Sequence, residues 1–359
     1  MNYTAIFSTF LTSLLYKVLI LGPDHTIPAT MHLPFSLALL FATSVSTVFA
    51  KCDTCPCSTE PIIEKGDLQI YTYHASPVPL VYQNSTDVSF SPTTFTLIST
   101  KDEAVLVDAP ISPERGEELA DWISATIPGR KLTGIYVTHG HGDHFFAIPM
   151  IQKRFPGARV LATQEVYDHM LQQIEPGFFA SFWAALFPNL EAPDLSDINL
   201  DILDPSTNLS FYLSSGNGHR KEQYELRAVP VGEGDTVNST VLYVPEVKTV
   251  ITGDVVYGNC YQYLAENPTA ELRSQWLKSI DKVAGLHPQY VIPSHALPTD
   301  NYEKNHLSET KTYIETFEQL LAESSSWQEL ETSLKGRFPQ REGSFILRYS
   351  TLAFFNASF

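Results

Sequence analysis

The segment Ile135-Tyr136-Val137-Thr138-His139-Gly140-His141-Gly142-Asp143-His144 decides the fold. Its apolar and β-branched residues predict a strand over 133–138, and the loop that follows holds three histidines and one aspartate within six residues. This density brings four candidate metal ligands to one loop, and Gly140 and Gly142 permit the tight backbone that such a loop needs. The segment therefore predicts a metal site at the end of a strand.

The sequence around this segment alternates between predicted strands and helices, which is typical of an α/β protein. Residues 94–99 and 104–108 predict a hairpin around the charged residues 101–103. Ser112 is the predicted N-cap of a helix that ends at Pro128-Gly129. The further predicted elements are helices over 145–155, 164–174, 270–284 and 302–323, strands over 158–162 and 290–292, and a hairpin over 241–252.

The pattern His139-x-His141-x-Asp143-His144 after a strand resembles the signature of the metallo-β-lactamase superfamily of hydrolases. The resemblance covers about residues 90–300. Asp108 resembles the aspartate of the first motif, which orients the metal loop, while Thr252-Gly253-Asp254 and Ser294-His295 resemble the fourth and fifth motifs. The resemblance implies an α/β fold of four layers, an αββα sandwich with metals at one edge of its sheets.

The same resemblance implies a ligand set for two metal ions. The ligands of the first ion would be His139 and His141, those of the second would be Asp143, His144 and His295, and Asp254 would bridge the two. Imidazoles and carboxylates suit zinc, so we expect about two Zn²⁺ that polarise a shared water into hydroxide. If only one metal binds, Asp143 could instead act as a base.

The third motif departs from the superfamily pattern. A histidine is expected there, and the matching stretch, residues 231–236, has Glu233 in its place. An oxygen ligand from Glu233 would weaken the preference for zinc and favour iron or manganese. Alternatively Glu233 stays unbound and the first site is weak. His219 is a second candidate, although it lies in a Gly- and Ser-rich run where we expect a solvated side chain.

Several residues outside these motifs bear on substrate binding. Residues 176–225 are predicted to be an insertion that carries a helical lid and an exposed loop. Its aromatic residues over 178–187 could line an apolar pocket above the metals or belong to an ordinary core helix. One of three tyrosines after the bridging aspartate could donate to a developing oxyanion, namely Tyr257, Tyr261 or Tyr263. The remaining histidines are expected to be structural or surface residues: His74, His169, His287 and His306.

These observations predict a hydrolase whose metal-bound hydroxide attacks an ester, lactone, thioester or amide carbonyl of a small molecule. An iron-dependent redox enzyme of the sulfur-oxidising type on the same scaffold is an alternative that Glu233 suggests. A metal-binding protein without activity is another, against which the retention of six candidate ligands argues. Phosphodiester or nuclease chemistry is disfavoured by the charge of the chain.

The composition excludes two classes of protein. The chain has 359 residues, of which 43% are hydrophobic and 18% charged, so it is not a disordered protein. Its net charge of −17 repels a nucleic-acid backbone, and we expect no nucleic-acid partner. The composition predicts no particular oligomeric state.

The N-terminal sequence predicts entry into the secretory pathway. Residues 31–50 have an apolar core and end in Val48-Phe49-Ala50, which is typical of a cleaved signal peptide. Met31 could be the natural start, with residues 1–30 an over-extended gene model, and residues 51–359 would then form the hydrolase domain. An uncleaved anchor is the alternative, but neither apolar stretch is long and clean enough to span a membrane. Four sequons predict glycosylation of a secreted or lumenal protein, at Asn84, Asn208, Asn238 and Asn356.

The cysteines give a weaker signal. Cys52, Cys55 and Cys57 are close together near the predicted mature N-terminus, whereas Cys260 is remote from them. No strand and helix surround the first pair as a redox motif requires, so a structural disulfide or free thiols are expected, with the pairing left open.

Overall fold

The structure is a computed structural model that describes residues 58–82, 85–216 and 221–355. The predictions for the signal peptide, for the three clustered cysteines, for His219 and for the sequons at Asn84 and Asn356 concern residues outside these ranges. In the described part of the chain, no helix is both long enough and apolar enough to cross a membrane.

Seven strands form the first sheet. In their order across the sheet, they are β1 (Ile63–Lys65), β2 (Leu68–His74), β5 (Thr94–Ser99), β6 (Glu103–Val107), β7 (Lys131–Tyr136), β8 (Arg159–Ala162) and β9 (Leu200–Ile202). The pairs from β1 to β6 are antiparallel, and those from β6 to β9 are parallel. The short pair β3 (Pro79–Tyr82) and β4 (Ser85–Ser89) forms a separate sheet.

Five strands form the second sheet. They are β10 (Ser210–Ser215), β11 (Glu222–Gly232), β12 (Ser239–Val244), β13 (Thr249–Ile251) and β14 (Tyr290–Ile292), in this order across the sheet. Only β13 and β14 run parallel. The apolar side chains of the two sheets meet in a common core, in which Ile98 and Tyr136 of the first sheet cluster with Leu226 and Leu242 of the second.

Helices cover the outer face of each sheet. The helices are α1 (Pro113–Thr126), α2 (Ile148–Arg154), α3 (Gln164–Gln173), α4 (Pro176–Ser181), α5 (Trp183–Leu186), α6 (Ala270–Gly285), α7 (Asn305–Glu323), α8 (Trp327–Arg337) and α9 (Ser344–Phe354). The helices α1 to α5 pack on the first sheet, and α6 to α8 pack on the second. Helix α9 contributes to both outer cores, through Phe345 and Leu347. The four layers confirm the αββα sandwich.

Local sequence signals account for several of these elements. The hairpin of β5 and β6 is antiparallel as predicted. Ser112 has an extended backbone and its side chain accepts a hydrogen bond from the backbone N–H of Arg115, which satisfies one of the free donors of the first turn of α1. The predicted helices near 164, 270 and 302 and the hairpin of β12 and β13 are also present.

Residues 176–225 contain more structure than the predicted lid and loop. The helical part is present as α4 and α5, but the segment also supplies the edge strands β9 and β10, one in each sheet. β9 has three residues, and β10 ends in a polar run, so periodicity did not reveal either strand. The sequon residues Asn208 and Asn238 are exposed in turns, and their glycosylation stays a prediction.

Candidate metal centre

The candidate ligands lie where strands of both sheets end at one edge of the sandwich. The loop of His139 to His144 follows β7 and includes a 3₁₀ turn, Gly142–His144. Asp254 lies in a second 3₁₀ turn after β13, and His295 follows β14. Side chains at the carboxyl ends of parallel strands converge at one edge of a sheet, which explains why residues distant in sequence meet here.

Four groups of side chains could each hold a metal ion. Within each group, the ligand atoms lie within 4.8 Å of one another. The groups are His139 with His141 and Asp235; His139 with His144 and Asp254; Asp143 with His144 and His295; and His141 with His169 and Glu266. The predicted ligands are thus brought together, with the exception of Glu233, and three residues that were not predicted as ligands join them: Asp235, His169 and Glu266.

Two of the imidazoles are oriented by their second nitrogen. His295 Nδ1 lies 2.7 Å from the carbonyl oxygen of Pro92, to which it can only donate, so its Nε2 faces the site. His139 Nδ1 lies 3.0 Å from Thr138 Oγ1. Because the Thr138 hydroxyl already donates to Asp108, it must accept from His139, and the His139 Nε2 lone pair also faces the site.

Asp108 is the shared acceptor of several hydrogen bonds at this edge. It is fully buried just after β6, and its Oδ2 accepts hydrogen bonds from His144 Nδ1 at 2.9 Å, Thr138 Oγ1 at 2.9 Å and Ser294 Oγ at 3.2 Å. Its Oδ1 accepts the backbone N–H of Thr138 at 2.8 Å. The bond to His144 again leaves Nε2 directed at the site.

His141 differs from these histidines, because its Nδ1 faces Asp235, which belongs to the same group of candidate ligands. Its Nδ1 lies 3.0 Å from Asp235 Oδ2, while its Nε2 lies 3.2 Å from Glu266 Oε1. Glu266 is itself oriented by Thr236, whose hydroxyl donates to Oε2 at 2.6 Å. A carboxylate behind an imidazole fixes its tautomer and increases its basicity, which is how proteins commonly support a metal-binding histidine.

Whether these residues fit a metal ion can be judged from the buried polar atoms that lack a hydrogen-bond partner. Among the described residues, five such atoms lie at this edge: His139 Nε2, His144 Nε2, His169 Nδ1, Asp235 Oδ1 and Asp254 Oδ1. Buried polar atoms are rarely left unpaired in folded proteins. Nitrogen and carboxylate oxygen are also the donors that divalent transition metals take. The residues therefore fit a centre of one or two such ions.

Glu233 and Asp235 differ in what they contact. Glu233 Oε1 accepts a hydrogen bond from Asn267 Nδ2 at 3.0 Å, and Glu233 belongs to none of the four groups. The chain leaves β11 through a bulge at Pro230/Gly232, and Gly232 has a φ of +102°. This turn places Asp235, three residues further on, against His141. Asp235 thus joins His139 and His141 in one of the four groups, and the assignment of Glu233 as a ligand stays a prediction.

Gly140 and Gly142 are required for a steric reason. A Cβ atom on Gly140 would lie 2.5 Å from the ring of His169, and one on Gly142 would lie 2.3 Å from the ring of Phe146. Neither glycine has a positive φ. The two rings therefore press directly on the backbone of the metal loop, and a larger residue at either position would displace it.

The histidines expected to be structural or surface residues differ in their surroundings. His74 hydrogen-bonds with Thr94 and Tyr302, and His306 with Asn301 and Glu309, as structural residues do. His287 is exposed. His169, however, is buried beside His141, with 5.6 Å between ring centroids. No local sequence signal separates His169 from the others, because its neighbourhood is formed by distant parts of the chain.

A pocket lies above the candidate ligands. Asp143, Asp254 and His295 line its floor, and the aromatic segment supplies Phe178 and Trp183 to its wall. Phe179 and Phe187 instead pack in the outer core of the first sheet. Both interpretations of the aromatic segment are therefore correct for some of its residues.

The three tyrosines after Asp254 have separate roles. Tyr257 donates to Asp254 Oδ2 at 2.9 Å and stacks on His295 with 5.4 Å between ring centroids. Tyr261 donates to the backbone of Phe338 at 3.1 Å. Tyr263 lines the pocket, and burial together with the charge of Glu266 raises its pKa well above the usual value. Tyr263 thus keeps its proton at neutral pH.

The carboxylates change the protonation of the histidines. Burial alone would lower the pKa of His295, but attraction by Asp254 and Asp143 outweighs it and raises the pKa to about 10. The pKa of His144 is raised well above its usual value by Asp143 and Asp254 against the same opposing effect of burial. In the metal-free protein both imidazoles are therefore cations at neutral pH.

Asp235 and Glu266 likewise raise the pKa of His141 well above its usual value. We expect zinc binding by chelator-treated protein to release about three protons per chain at about pH 7.5, one each from His141, His144 and His295, because a ligand nitrogen must lose its proton. The buffer dependence of the calorimetric heat measures this number. The matched control, His287→Asn, should release the same number. Binding without proton release would show that His144 and His295 are not ligands.

The same shift gives the metal-free protein a pH dependence of stability. The pKa of His295 is about 10 in the fold against an ordinary value of 6.5. Its protonation therefore contributes fully to stability below about pH 6.5, and this contribution is lost as the pH rises toward 10.

Comparison with known proteins gives one family. The sequence model described as the metallo-beta-lactamase superfamily matches residues 88–295. No curated protein matches the sequence.

Solved structures match the fold. A metallo-beta-lactamase family protein from Thermus thermophilus is 19% identical, with a TM-score of 0.52, over 79% of this chain and 91% of that chain. A metallo-beta-lactamase from Pontibacter korlensis is 19% identical, with a TM-score of 0.47, over 71% and 98%. The metallo-beta-lactamase FIM-1 from Pseudomonas aeruginosa, described in its mono-zinc form, is 15% identical, with a TM-score of 0.47, over 72% and 98%. At these identities the likeness concerns the fold alone.

Proposed function

Because the chain belongs to the metallo-β-lactamase superfamily, we propose that it is a metal-dependent hydrolase that cleaves an ester, lactone, thioester or amide bond of a small molecule. One observation supports this most strongly. Buried imidazole and carboxylate atoms without other partners converge on one sheet edge, at the floor of a pocket.

The groups of candidate ligands suggest two neighbouring zinc ions. The first would be held by His139, His141 and Asp235, and the second by Asp143, His144 and His295. Asp254 shares a group with His139 and with His144, one residue from each set, so it would contribute a ligand to both ions. The ring centroids of His139 and His144 are 4.0 Å apart, which keeps the two sets adjacent.

Bound divalent cations supply a water nucleophile at neutral pH and polarise a carbonyl oxygen. The residues of the chain do the rest. Tyr257 donates its hydroxyl proton to the Asp254 carboxylate and so holds Asp254 in place. That proton is therefore not available to a substrate. Tyr263, which lines the pocket and keeps its proton, is the tyrosine that can donate to an oxyanion. The aromatic wall excludes water from the reacting carbonyl.

The assignment of Asp235 gives a direct prediction on metal content. Protein purified without added metal should contain about two zinc ions per chain, and Asp235→Ala should contain about one, because the first site loses its only carboxylate outside the bridge. Asp235→His should restore the second ion. The control Glu233→Gln should keep both, since Glu233 contacts Asn267. Mass spectrometry of the metal content measures all four proteins.

Two outcomes of this measurement would change the assignment. Loss of a metal from Glu233→Gln but not from Asp235→Ala would make Glu233 the ligand. Iron in place of zinc in the wild-type protein would favour the redox alternative, since oxygen-rich sites suit iron or manganese better than zinc.

Hydrolysis itself is tested with chromogenic esters, thioesters, lactones and anilides. Activity on at least one of these classes should disappear on chelation and return with zinc. A phosphodiester should not be cleaved, because the net charge of −17 on the chain repels an anion. If protein with its full metal content hydrolyses none of these carbonyl compounds, the proposal fails.

A further inference from the structure

A continuous series of aromatic rings connects the mouth of the pocket with the candidate metal centre. Phe178 stacks on Phe182 with 5.7 Å between ring centroids, and Phe182 meets Tyr349 edge to face at 5.5 Å. Tyr349 stacks on Tyr263 at 5.9 Å, and Tyr263 meets the ring of His141 at 5.6 Å. The path from the surface to the ligands is therefore lined by aromatic rings along its whole length.

The two sides of this path come from different parts of the chain. Phe178, Phe182 and Trp183 belong to α4 and α5, whereas Ile346 and Tyr349 belong to α9. All of them line the pocket. Phe178 is 37% exposed, so the series begins at the protein surface and continues inward. An exposed aromatic group at the mouth of an apolar pocket is typical of a ligand-binding entrance.

Away from the candidate metal ligands, the charge that lines the pocket is negative. Among the described residues, neither the pocket nor the outer cleft that shares Phe178 and Tyr349 with it is lined by a lysine or arginine. The acidic residues that line the pocket are Asp143, Asp235, Asp254 and Glu266. Glu266 also lines the outer cleft. The arginines of the neighbouring C-terminal segment are engaged elsewhere: Arg348 pairs with Glu331, and Arg341 donates to the backbone of Gly258.

We propose, on the basis of the hydrolase function proposed above, that the substrate is an uncharged, flat and apolar carbonyl compound such as an aryl ester or an aromatic lactone. The aromatic series binds its non-reacting part by stacking and burial. A carboxylate or phosphate on that part would lose its water of hydration, find no cationic partner, and face Glu266 at close range. The pocket therefore selects against anionic substrates.

The test compares matched neutral and anionic probes. For binding, 2-naphthol and 6-hydroxy-2-naphthoate are titrated by calorimetry into both metal-loaded and chelator-treated protein. For activity, the acetate esters of the same two compounds are used. We expect the neutral member to bind at least about tenfold more tightly and to be hydrolysed with a kcat/KM at least about tenfold higher, because like charges in contact disfavour binding strongly.

The binding and activity readouts separate the two proposals. If the neutral probe binds selectively but no carbonyl compound is hydrolysed, the pocket inference holds and the hydrolase proposal fails. If both esters are hydrolysed within about twofold of each other, the hydrolase proposal holds and the pocket inference is overturned. Tighter binding of the anionic probe also overturns the inference.

A pair of charge variants tests the location of the effect. Phe178→Arg places a cation at the mouth and should tighten binding of the naphthoate at least about fivefold while the metal content stays the same. Leu171→Arg is the matched control, since Leu171 is 41% exposed on α3 and does not line the pocket. The control should leave both affinities unchanged. Equal effects of the two variants would attribute the selectivity to the overall charge of the protein and overturn the inference.

Discussion

Replacing Asp254 by asparagine is expected to lower kcat/KM about a thousandfold and to reduce the metal content from about two ions to one. A metal centre contributes several kcal/mol to transition-state stabilisation, and each ~1.4 kcal/mol is a factor of ten in rate. The Asp254 carboxylate lies between the two sets of ligands, with Oδ2 3.0 Å from His295 Nε2 and Oδ1 buried without a hydrogen-bond partner. The amide keeps the shape of the side chain but not its charge.

The control for Asp254 is Tyr257→Phe. This change removes the hydroxyl that donates to Asp254 and keeps the ring that stacks on His295. Because it affects only the support of a ligand, we expect a loss of about 10- to 100-fold in metal affinity and no loss of bound metal at saturation. Both variants are compared by metal analysis and by kinetics on the best substrate. Wild-type activity in Asp254→Asn would remove Asp254 from the centre.

Replacing Asp108 by alanine is expected to destabilise the metal-free protein by about 3–5 kcal/mol, as the loss of one partner from a buried charged network does. The substitution leaves Thr138, His144 and Ser294 without the acceptor that they share. It should also weaken metal binding about 10- to 100-fold, because His144 loses the group that orients its ring. Urea unfolding in the presence of a chelator measures stability, and zinc titration measures affinity.

Two further variants separate the contributions of Asp108. The residue has a φ of +64°, a conformation that asparagine tolerates better than alanine does. Asp108→Asn therefore tests the loss of charge without the backbone penalty and should be less destabilising than alanine. Ser294→Ala removes only one donor, 3.2 Å from Oδ2, and should cost about 1 kcal/mol. Equal stability of Asp108→Ala and the wild type would contradict the role of Asp108.

The fold was predictable wherever local signals are strong. The charged turn between β5 and β6, the Ser112 cap and the apolar stripe of α6 are each encoded within a few residues. The edge strands β9 and β10 were not, because short edge strands depend on pairing with neighbours elsewhere in the chain.

The site was predictable to the extent that its ligands lie in a dense motif or directly after a recognisable strand. His139 to His144, Asp254 and His295 satisfy one of these conditions. Asp235 does not, because a bulge and the positive φ of Gly232 set its direction, and counting along the chain favoured Glu233. Glu266 reaches His141 from 125 residues away. Only the docking of distant segments brings such a residue to the site.

The pocket and the metal edge are carried by separable segments of the chain. Most candidate ligands follow the strands β7, β11, β13 and β14, whereas one wall of the pocket belongs to α9 (Ser344–Phe354), which lies beyond the region that the family model matches. Substitutions in α9 and in α4 can therefore change which molecules enter without altering the residues that would activate water. Natural variation can thus give related proteins different substrate ranges while their reaction stays the same.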